Sequence, residues 1–102
     1  MIEVINKHLD QVAALCRRTG ARRLRLFGSA VREDFVPESS DLDFVVEFDA
    51  LAPAKYADSY FALKEGLEML FGRRVDLVTA GSIKNPYFRE RVEAESQTVY
   101  AR

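Results

Sequence analysis

The sequence predicts a small α/β or α+β domain in which a short mixed β-sheet packs against helices. Two observations lead to this class. Segments whose apolar residues recur every three or four positions alternate along the chain with short segments that follow the two-residue period of a strand. The chain has 102 residues, 48% of them hydrophobic, which suits one domain with one core. We therefore expect a single domain over residues 1–102, with the element order α-β-(α)-β-α-β-α.

The first predicted helix covers residues 2–18. Its apolar stripe consists of Ile2, Ile5, Leu9, Val12 and Cys16. Gly20 is expected to end this helix. Cys16 lies on the stripe, so we interpret it as a small core residue and not a reactive thiol. His8 lies beside the stripe, and we expect it at the surface or at the edge of the core.

Two strands with a glycine turn between them are predicted next. Residues 22–27 alternate in the period of a strand, and Gly28-Ser29 breaks the pattern where a short helical turn can begin. Residues 32–40 are polar and predict a surface loop. Residues 42–48 form a second, more apolar strand.

A long helix and a third strand follow. Pro53 marks the connection, and a helix over residues 55–71 carries a stripe that ends before Gly72. The members of this stripe are Tyr56, Tyr60, Leu63, Leu67 and Leu70. Residues 74–78 predict the third strand.

The last predicted helix covers residues 86–96. Asn85 is the candidate N-cap. Pro86 suits the first helical position, because a backbone N–H there has no acceptor within the helix and proline lacks that N–H. Val99-Tyr100 can add a terminal extended piece.

The composition excludes several classes of function. Fifteen Lys and Arg oppose 16 Asp and Glu, and this balance argues against a nucleic-acid module that acts through a general basic field. One cysteine and one histidine exclude an internal disulfide, a cysteine zinc site and a multi-histidine metal site. The N-terminus lacks the pattern of a signal peptide and no segment has 18 apolar residues, so we expect a soluble, cytoplasmic protein.

Eleven of the 15 cations are arginine, the side chain suited to bidentate binding of phosphate or carboxylate. A phosphate or partner surface, or simply a solvated face, could be formed by Arg17, Arg18, Arg22, Arg73 and Arg74. Aromatic residues also exceed what one small core needs, and some could mark a partner or self-association interface. They are Tyr56, Tyr60, Phe61, Tyr87, Phe88 and Tyr100.

Three aspartates stand in or beside apolar strands, where this residue is depleted. Asp41 and Asp43 are two residues apart, so on a strand their side chains point to the same side, about 7 Å apart. Mg²⁺ is held by one or two carboxylates together with substrate phosphates. Asp76, inside the third strand, could complete a two-metal site or act as a base. Taken singly, each acid could instead be a strand-end residue that faces water or an arginine.

Gly28-Ser29 lies where a strand turns into a helical segment. A glycine there lets the backbone approach a ligand, and a serine hydroxyl can donate to phosphate oxygens. Arg32, one helical turn later, could contact the same anion. An ordinary strand-to-helix turn is the alternative.

The joint pattern from Leu26 to Val46 resembles the minimal nucleotidyltransferases of the polymerase-beta-like superfamily. It consists of LFGSAVREDF at residues 26–35 followed by PESSDLDFVV at residues 37–46. The resemblance extends over essentially the whole chain and includes the strand RVDLV (74–78) and the helix start NPYFR (85–89).

The resemblance implies roles for the residues that match its motif. Gly28 and Ser29 would hold the nucleoside triphosphate, with Arg32 as an added contact. Asp41 and Asp43 would bind catalytic Mg²⁺, and Asp76 would complete the metal site or activate the acceptor. A hydroxyl would attack the α-phosphorus of the triphosphate and release pyrophosphate.

The chain departs from the family pattern in two places. Val31-Arg32-Glu33 replaces the common Ala-Arg-Gly, and 11 residues separate Ser29 from Asp41, one more than usual. Ser39-Ser40 is the expected site of the extra residue, which a loop absorbs at low cost.

Family resemblance also implies a partner. Small members pair with a ribonuclease-type toxin that has a HEPN domain, and act as its antitoxin by transferring AMP from ATP to a tyrosine. Two alternatives stay open: an antitoxin that neutralises its partner by binding alone, and an enzyme that modifies a small molecule such as an aminoglycoside.

Overall fold

A computed structural model describes residues 2–32 and 41–102. Within these residues a four-stranded sheet has the order β3-β2-β1-β4. Its strands are β1 (Ala21–Phe27), β2 (Leu42–Phe48), β3 (Val75–Thr79) and β4 (Gln97–Ala101). β1 runs antiparallel to both β2 and β4, whereas β2 and β3 are parallel. The sheet is therefore mixed, and the predicted fold class is confirmed.

In the described part of the chain, four helices accompany the sheet: α1 (Glu3–Asn6), α2 (Leu9–Thr19), α3 (Pro53–Phe71) and α4 (Pro86–Glu95). Short 3₁₀ turns at Gly28–Ala30 and Ala80–Ser82 follow β1 and β3. The turn predicted at Gly28 is thus present. Among the described helices, none combines the length and the apolar character that a bilayer crossing requires.

The prediction of one continuous helix over residues 2–18 is wrong, because the helix is interrupted between α1 and α2. His8 stands at the break. Its ring Nδ1 lies 3.0 Å from the carbonyl oxygen of Val4, which its backbone N–H would bond in a continuous helix. That N–H instead donates to Ile5, one residue closer, at 3.0 Å. Periodicity alone does not reveal such a competition between a side chain and the backbone.

Other helix ends follow their local chemistry. Pro53, predicted to lie in the connection, is the first residue of α3, a position where a missing N–H costs nothing. The side chain of Asn85 accepts hydrogen bonds from the N–H groups of Tyr87 (2.9 Å) and Phe88 (3.1 Å), which confirms it as the N-cap of α4. Gly20 and Gly72 end α2 and α3 with φ of +79° and +63°.

The C-terminal extended piece is longer than predicted, because β4 runs from Gln97 to Ala101 and pairs with β1. The predicted loop over residues 32–40 falls mostly outside the described residues, and so does the extra position at Ser39-Ser40.

One face of the sheet packs against α2 and α3 and forms the main core. The side chains that alternate onto this face are fully or almost fully buried. They include Leu24 and Leu26 of β1 and Leu42, Phe44 and Val46 of β2. Cys16 belongs to this core, and burial raises the pKa of its thiol to about 12. The predicted core role of Cys16 is confirmed.

The opposite face of the sheet carries α4. Val92 of α4 packs with Val45 of β2 and with Ile83. The guanidinium of Arg25, almost fully buried on this face, donates to Glu93 of α4 at 3.0 Å. Because side chains alternate along each strand, Phe27 and Asp43 share this face with Arg25 and Val45. This face therefore carries both an apolar helix contact and the acid that the sequence singles out.

Candidate active site

Gly28 and Asp43 are brought together by the register of β1 against β2. Phe27 stands opposite Asp43, so the glycine that follows Phe27 lies against the aspartate side chain. Gly28 has φ of +73°, and a Cβ atom at this position would stand 2.3 Å from Oδ2 of Asp43. Glycine is therefore required here for two reasons: other residues rarely adopt this backbone conformation, and Asp43 occupies the space that a side chain would need.

Asp43 is also a neighbour of Asp76 across the parallel pair. The two residues are in register, on strands that lie about 4.8 Å apart. Partial burial raises the pKa of Asp43, and repulsion by Asp76 and then by Asp41 raises it further, while Arg32 opposes the shift. The negative neighbours therefore disfavour the ionised form of Asp43, and a bound cation would stabilise that form.

Asp41 precedes β2 and is about half exposed. Its Oδ2 lies 4.0 Å from Nη1 of Arg74, which is itself mostly exposed. A contact between two exposed groups at this distance contributes little to stability. Arg74 therefore does not hold Asp41 firmly.

A cleft of about 290 Å³ opens where the end of β1 meets α4. Its sheet-side wall consists of Phe27, Gly28, Arg32 and Asp43. Its helix-side wall consists of Phe88, Arg91, Val92 and Glu95. Of the residues predicted for the site, the cleft brings together Gly28, Arg32 and Asp43; Ser29, Asp41 and Asp76 lie beside these in sequence or register but do not line it.

The oxygen donors near Asp43 suit a hard cation such as Mg²⁺ better than a soft metal. Among residues 2–32 and 41–102, however, no three His, Cys, Asp or Glu side chains are arranged to hold a metal ion. An ion bound by one or two of these carboxylates would need further oxygen ligands, and a substrate phosphate supplies them. The donor set therefore fits a metal that enters with the nucleotide.

The helix-side wall was missed by the sequence prediction. Phe88, Arg91, Val92 and Glu95 follow the three- and four-residue spacing of one helix face, a signal that the sequence does contain. It was not recognised because only Val92 of the four is an aliphatic residue of the kind that marks a buried stripe.

A model of the nucleotidyltransferase domain family matches residues 9–99. This match spans most of the chain and includes all six residues predicted for the site.

This chain belongs to the nucleotidyltransferase domain family.

Two relatives within the nucleotidyltransferases illustrate the likeness in sequence. A Methanocaldococcus jannaschii protein, provisionally named a protein adenylyltransferase, is 36% identical over 93 residues, which are 91% of this chain and 88% of the relative. The protein adenylyltransferase MntA of Thermococcus cleftensis is 39% identical over 71 residues, 70% of this chain and 68% of the relative. The predicted enzyme class, a nucleotidyltransferase, is confirmed.

Solved structures show the same fold. A protein provisionally described as a minimal nucleotidyltransferase superposes with a TM-score of 0.69 at 36% identity, covering 93% of this chain and 92% of that one. A chain of a toxin–antitoxin complex with AMP-PNP gives 0.68 at 21% identity, over 92% and 73% of the two chains. A chain from the complex of a tri-AMPylated Shewanella oneidensis HEPN toxin with its MNT antitoxin gives 0.64 at 19% identity, over 96% and 73%. The resemblance to minimal nucleotidyltransferases is therefore confirmed.

The arginines of this nucleotidyltransferase do not act as one group. Arg25 is buried, and Nη2 of Arg22 lies 3.3 Å from Oε1 of Glu47 on β2. These two arginines therefore take part in the packing and the contacts of the sheet. Arg17 and Arg18 are exposed on α2. Arg32 is the only arginine of the predicted site residues, and Arg91 joins it across the cleft.

Proposed function

We propose that this chain is a Mg²⁺-dependent adenylyltransferase that moves AMP from ATP to a hydroxyl, that of a tyrosine, on a partner HEPN toxin and so acts as its antitoxin. The observation that carries the proposal is the contact between Gly28 and Asp43 at the base of the cleft. It sets a carboxylate, repelled by two others, directly beside a backbone turn that lines the cleft, where a phosphate can enter.

Each residue of the site has a role in this reaction. Gly28 and Ser29 hold the triphosphate, and Arg32 neutralises part of its charge. Asp41, Asp43 and Asp76 are the candidate ligands for Mg²⁺, which would supply charge stabilisation at the phosphates. Asp76 is exposed, and this position also suits a base that receives the proton of an incoming hydroxyl.

The transfer forms one bond at the α-phosphorus and breaks another. The acceptor oxygen forms a bond to the α-phosphorus, and the bond from that phosphorus to the oxygen bridging to the β-phosphate breaks. Pyrophosphate leaves with the electron pair of the broken bond, and the acceptor proton passes to Asp76 or to water. The product is an AMP ester of the acceptor hydroxyl.

The nature of the acceptor rests on the relatives. The names of two similar proteins identify them as protein adenylyltransferases, and a structure of the same fold contains an AMPylated HEPN toxin. Exposed aromatic side chains such as Phe61 and Tyr87, 57% and 77% accessible, are suited to contact with a partner protein. ATP is abundant in the cytoplasm, where we place the reaction.

The test uses the purified chain with ATP, Mg²⁺ and the protein encoded beside its gene, which the proposal expects to be a HEPN toxin. Intact-mass measurement is expected to show that the HEPN protein gains one or more AMP units, and that EDTA prevents the gain. Asp43→Asn should abolish it, whereas the matched variant Asp58→Asn, which changes an exposed acid on α3, should not.

The alternative of binding alone predicts a different result. The wild-type chain would then neutralise the HEPN protein without any gain in mass, and Asp43→Asn would neutralise it equally well. That outcome would overturn the proposed transfer and leave the fold and family unaffected.

A further inference from the structure

The face of α4 that lines the cleft carries a partly exposed aromatic ring, Phe88, and the exposed guanidinium of Arg91. We propose that this face binds the nucleotide: Phe88 stacks against the base, and Arg91 contacts the triphosphate from the side opposite Arg32. The inference rests on the proposed function and deepens it, because it assigns the recognition of the nucleotide to side chains outside the Gly-Ser and Asp-x-Asp motifs.

Phe88 is placed and exposed as a stacking residue requires. Its ring packs edge to face with Phe27, with centroids 5.8 Å apart and planes at 67°. This contact fixes the ring next to Gly28, the residue that follows Phe27. Even so, 37% of Phe88 remains accessible, an unusual exposure for a phenylalanine on the inner side of a helix. An aromatic surface at the edge of a charged cleft suits a planar nucleobase.

Arg91 differs from the two other arginines that stabilise this region. Arg25 donates to Glu93, and Arg89 donates to the carbonyl oxygen of Ile83 at 2.7 Å. Arg91 forms no hydrogen bond or ion pair with any residue in the described part of the chain, and it lines the cleft. The guanidinium of an arginine is a planar fork of donors, and at a cleft wall it can donate hydrogen bonds to phosphate oxygens.

The helix is anchored without Phe88 or Arg91. Val92 is buried against Val45, Glu93 accepts a hydrogen bond from Arg25, and the side chain of Asn85 caps the first turn. Substitutions at Phe88 and Arg91 should therefore leave the fold intact, so that their effect on nucleotide binding can be measured directly.

Isothermal titration with two probes separates the two roles. The probes are ATP and inorganic tripolyphosphate, which lacks a base, each in the presence of Mg²⁺. Phe88→Ala is expected to weaken ATP binding about tenfold, within the range measured for loss of base stacking, and to leave tripolyphosphate binding unchanged. Arg91→Ala is expected to weaken both probes by about tenfold, since a charged hydrogen bond is lost in both cases.

Matched controls lie on the same helix and just before it. Tyr87→Ala removes the neighbouring exposed ring and Lys84→Ala a neighbouring exposed cation, and neither residue lines the cleft. Both controls should bind ATP as the wild type does. Far-ultraviolet circular dichroism and melting temperature verify that all four variants fold.

Two failures can be told apart. If the wild type binds ATP but Phe88→Ala binds it equally well, or weakens tripolyphosphate to the same degree as ATP, the base does not stack on α4 and this inference is wrong. If Arg91→Ala leaves both probes unchanged, the role of Arg91 is wrong. A wild-type chain that binds neither ATP nor tripolyphosphate would instead refute the proposed function.

Discussion

Replacing Gly28 by alanine tests the contact on which the proposed active site depends. The new Cβ would stand 2.3 Å from Oδ2 and 3.1 Å from Cγ of Asp43, well inside van der Waals contact. The carboxylate must then rotate away from the turn, since the backbone of β1 and β2 is fixed by the sheet. We predict that Gly28→Ala lowers stability and abolishes transfer together.

The loss of stability has two parts. Alanine in the left-handed region, at φ of +73°, costs about 1–2 kcal/mol relative to glycine. Forcing Asp43 off its rotamer adds about 0.5–1.5 kcal/mol. We therefore expect the free energy of unfolding to fall by roughly 1.5–3.5 kcal/mol. The rate of AMP transfer should fall by at least about 100-fold, because a displacement of about 1 Å at a reacting group has an effect of this size.

Gly72→Ala is the matched control. Gly72 also has a positive φ, +63°, but a Cβ there meets no atom within 4 Å. It should lose only the backbone part, about 1–2 kcal/mol, and transfer at the wild-type rate. Urea unfolding gives the free energies, and single-turnover transfer of AMP to the HEPN partner gives the rates.

A double variant isolates the steric part. In an Asp43→Ala background the carboxylate is gone and only the Cβ of residue 43, 3.3 Å away, faces the new methyl group, so Gly28→Ala should cost little more than Gly72→Ala does in the wild type. The reasoning is refuted if Gly28→Ala in the wild type costs the same as Gly72→Ala and retains transfer.

The remaining predictions concern single groups. Because the pKa of Asp43 is raised on folding, its own contribution to stability should be lost as the pH rises from about 3.8 through the raised value, so thermal melts at a series of pH values should show the wild type losing stability relative to Asp43→Asn over this range. Cys16, buried and with a pKa of about 12, should resist iodoacetamide at mildly alkaline pH in the native protein and react after denaturation. Asn85→Ala should lower the free energy of unfolding by about 1 kcal/mol, because two N–H groups of α4 lose their acceptor, while Asn85→Asp should retain most of it. Arg25→Met should lower it by about 1–2 kcal/mol, a modest cost because its partner Glu93 is 59% exposed and returns to water.

Local patterns were sufficient for most of the secondary structure. The end of α2 at Gly20, the cap at Asn85 and the apolar run of β2 each depend on neighbours within a few residues. The break at His8 was not predicted because it depends on which of two donors, ring or backbone, takes the Val4 carbonyl. The full extent of β4 was not predicted because its hydrogen bonds come from β1, far away in sequence.

Local sequence likewise predicted one part of the candidate site and did not predict the other. Gly28, Ser29, Asp41 and Asp43 form a motif that can be recognised by eye, since all four lie within 16 residues of one another. The cleft itself requires α4, which returns to the sheet more than 40 residues after Asp43. Arg25 shows the difficulty most clearly, since no local pattern marks this arginine as buried, yet it is almost fully buried and donates to Glu93 of α4.

The sequence by itself determined the class of fold and the position of the strand acids, because spacing along one chain segment encodes both, and it indicated the class of enzyme through its resemblance to a known family. Only the tertiary structure decided that Asp43 lies against Gly28, that Asp76 is its neighbour and that Phe88 and Arg91 face the same cleft. These contacts join residues far apart in sequence, and their register is set by burial of both sheet faces and not by local pattern.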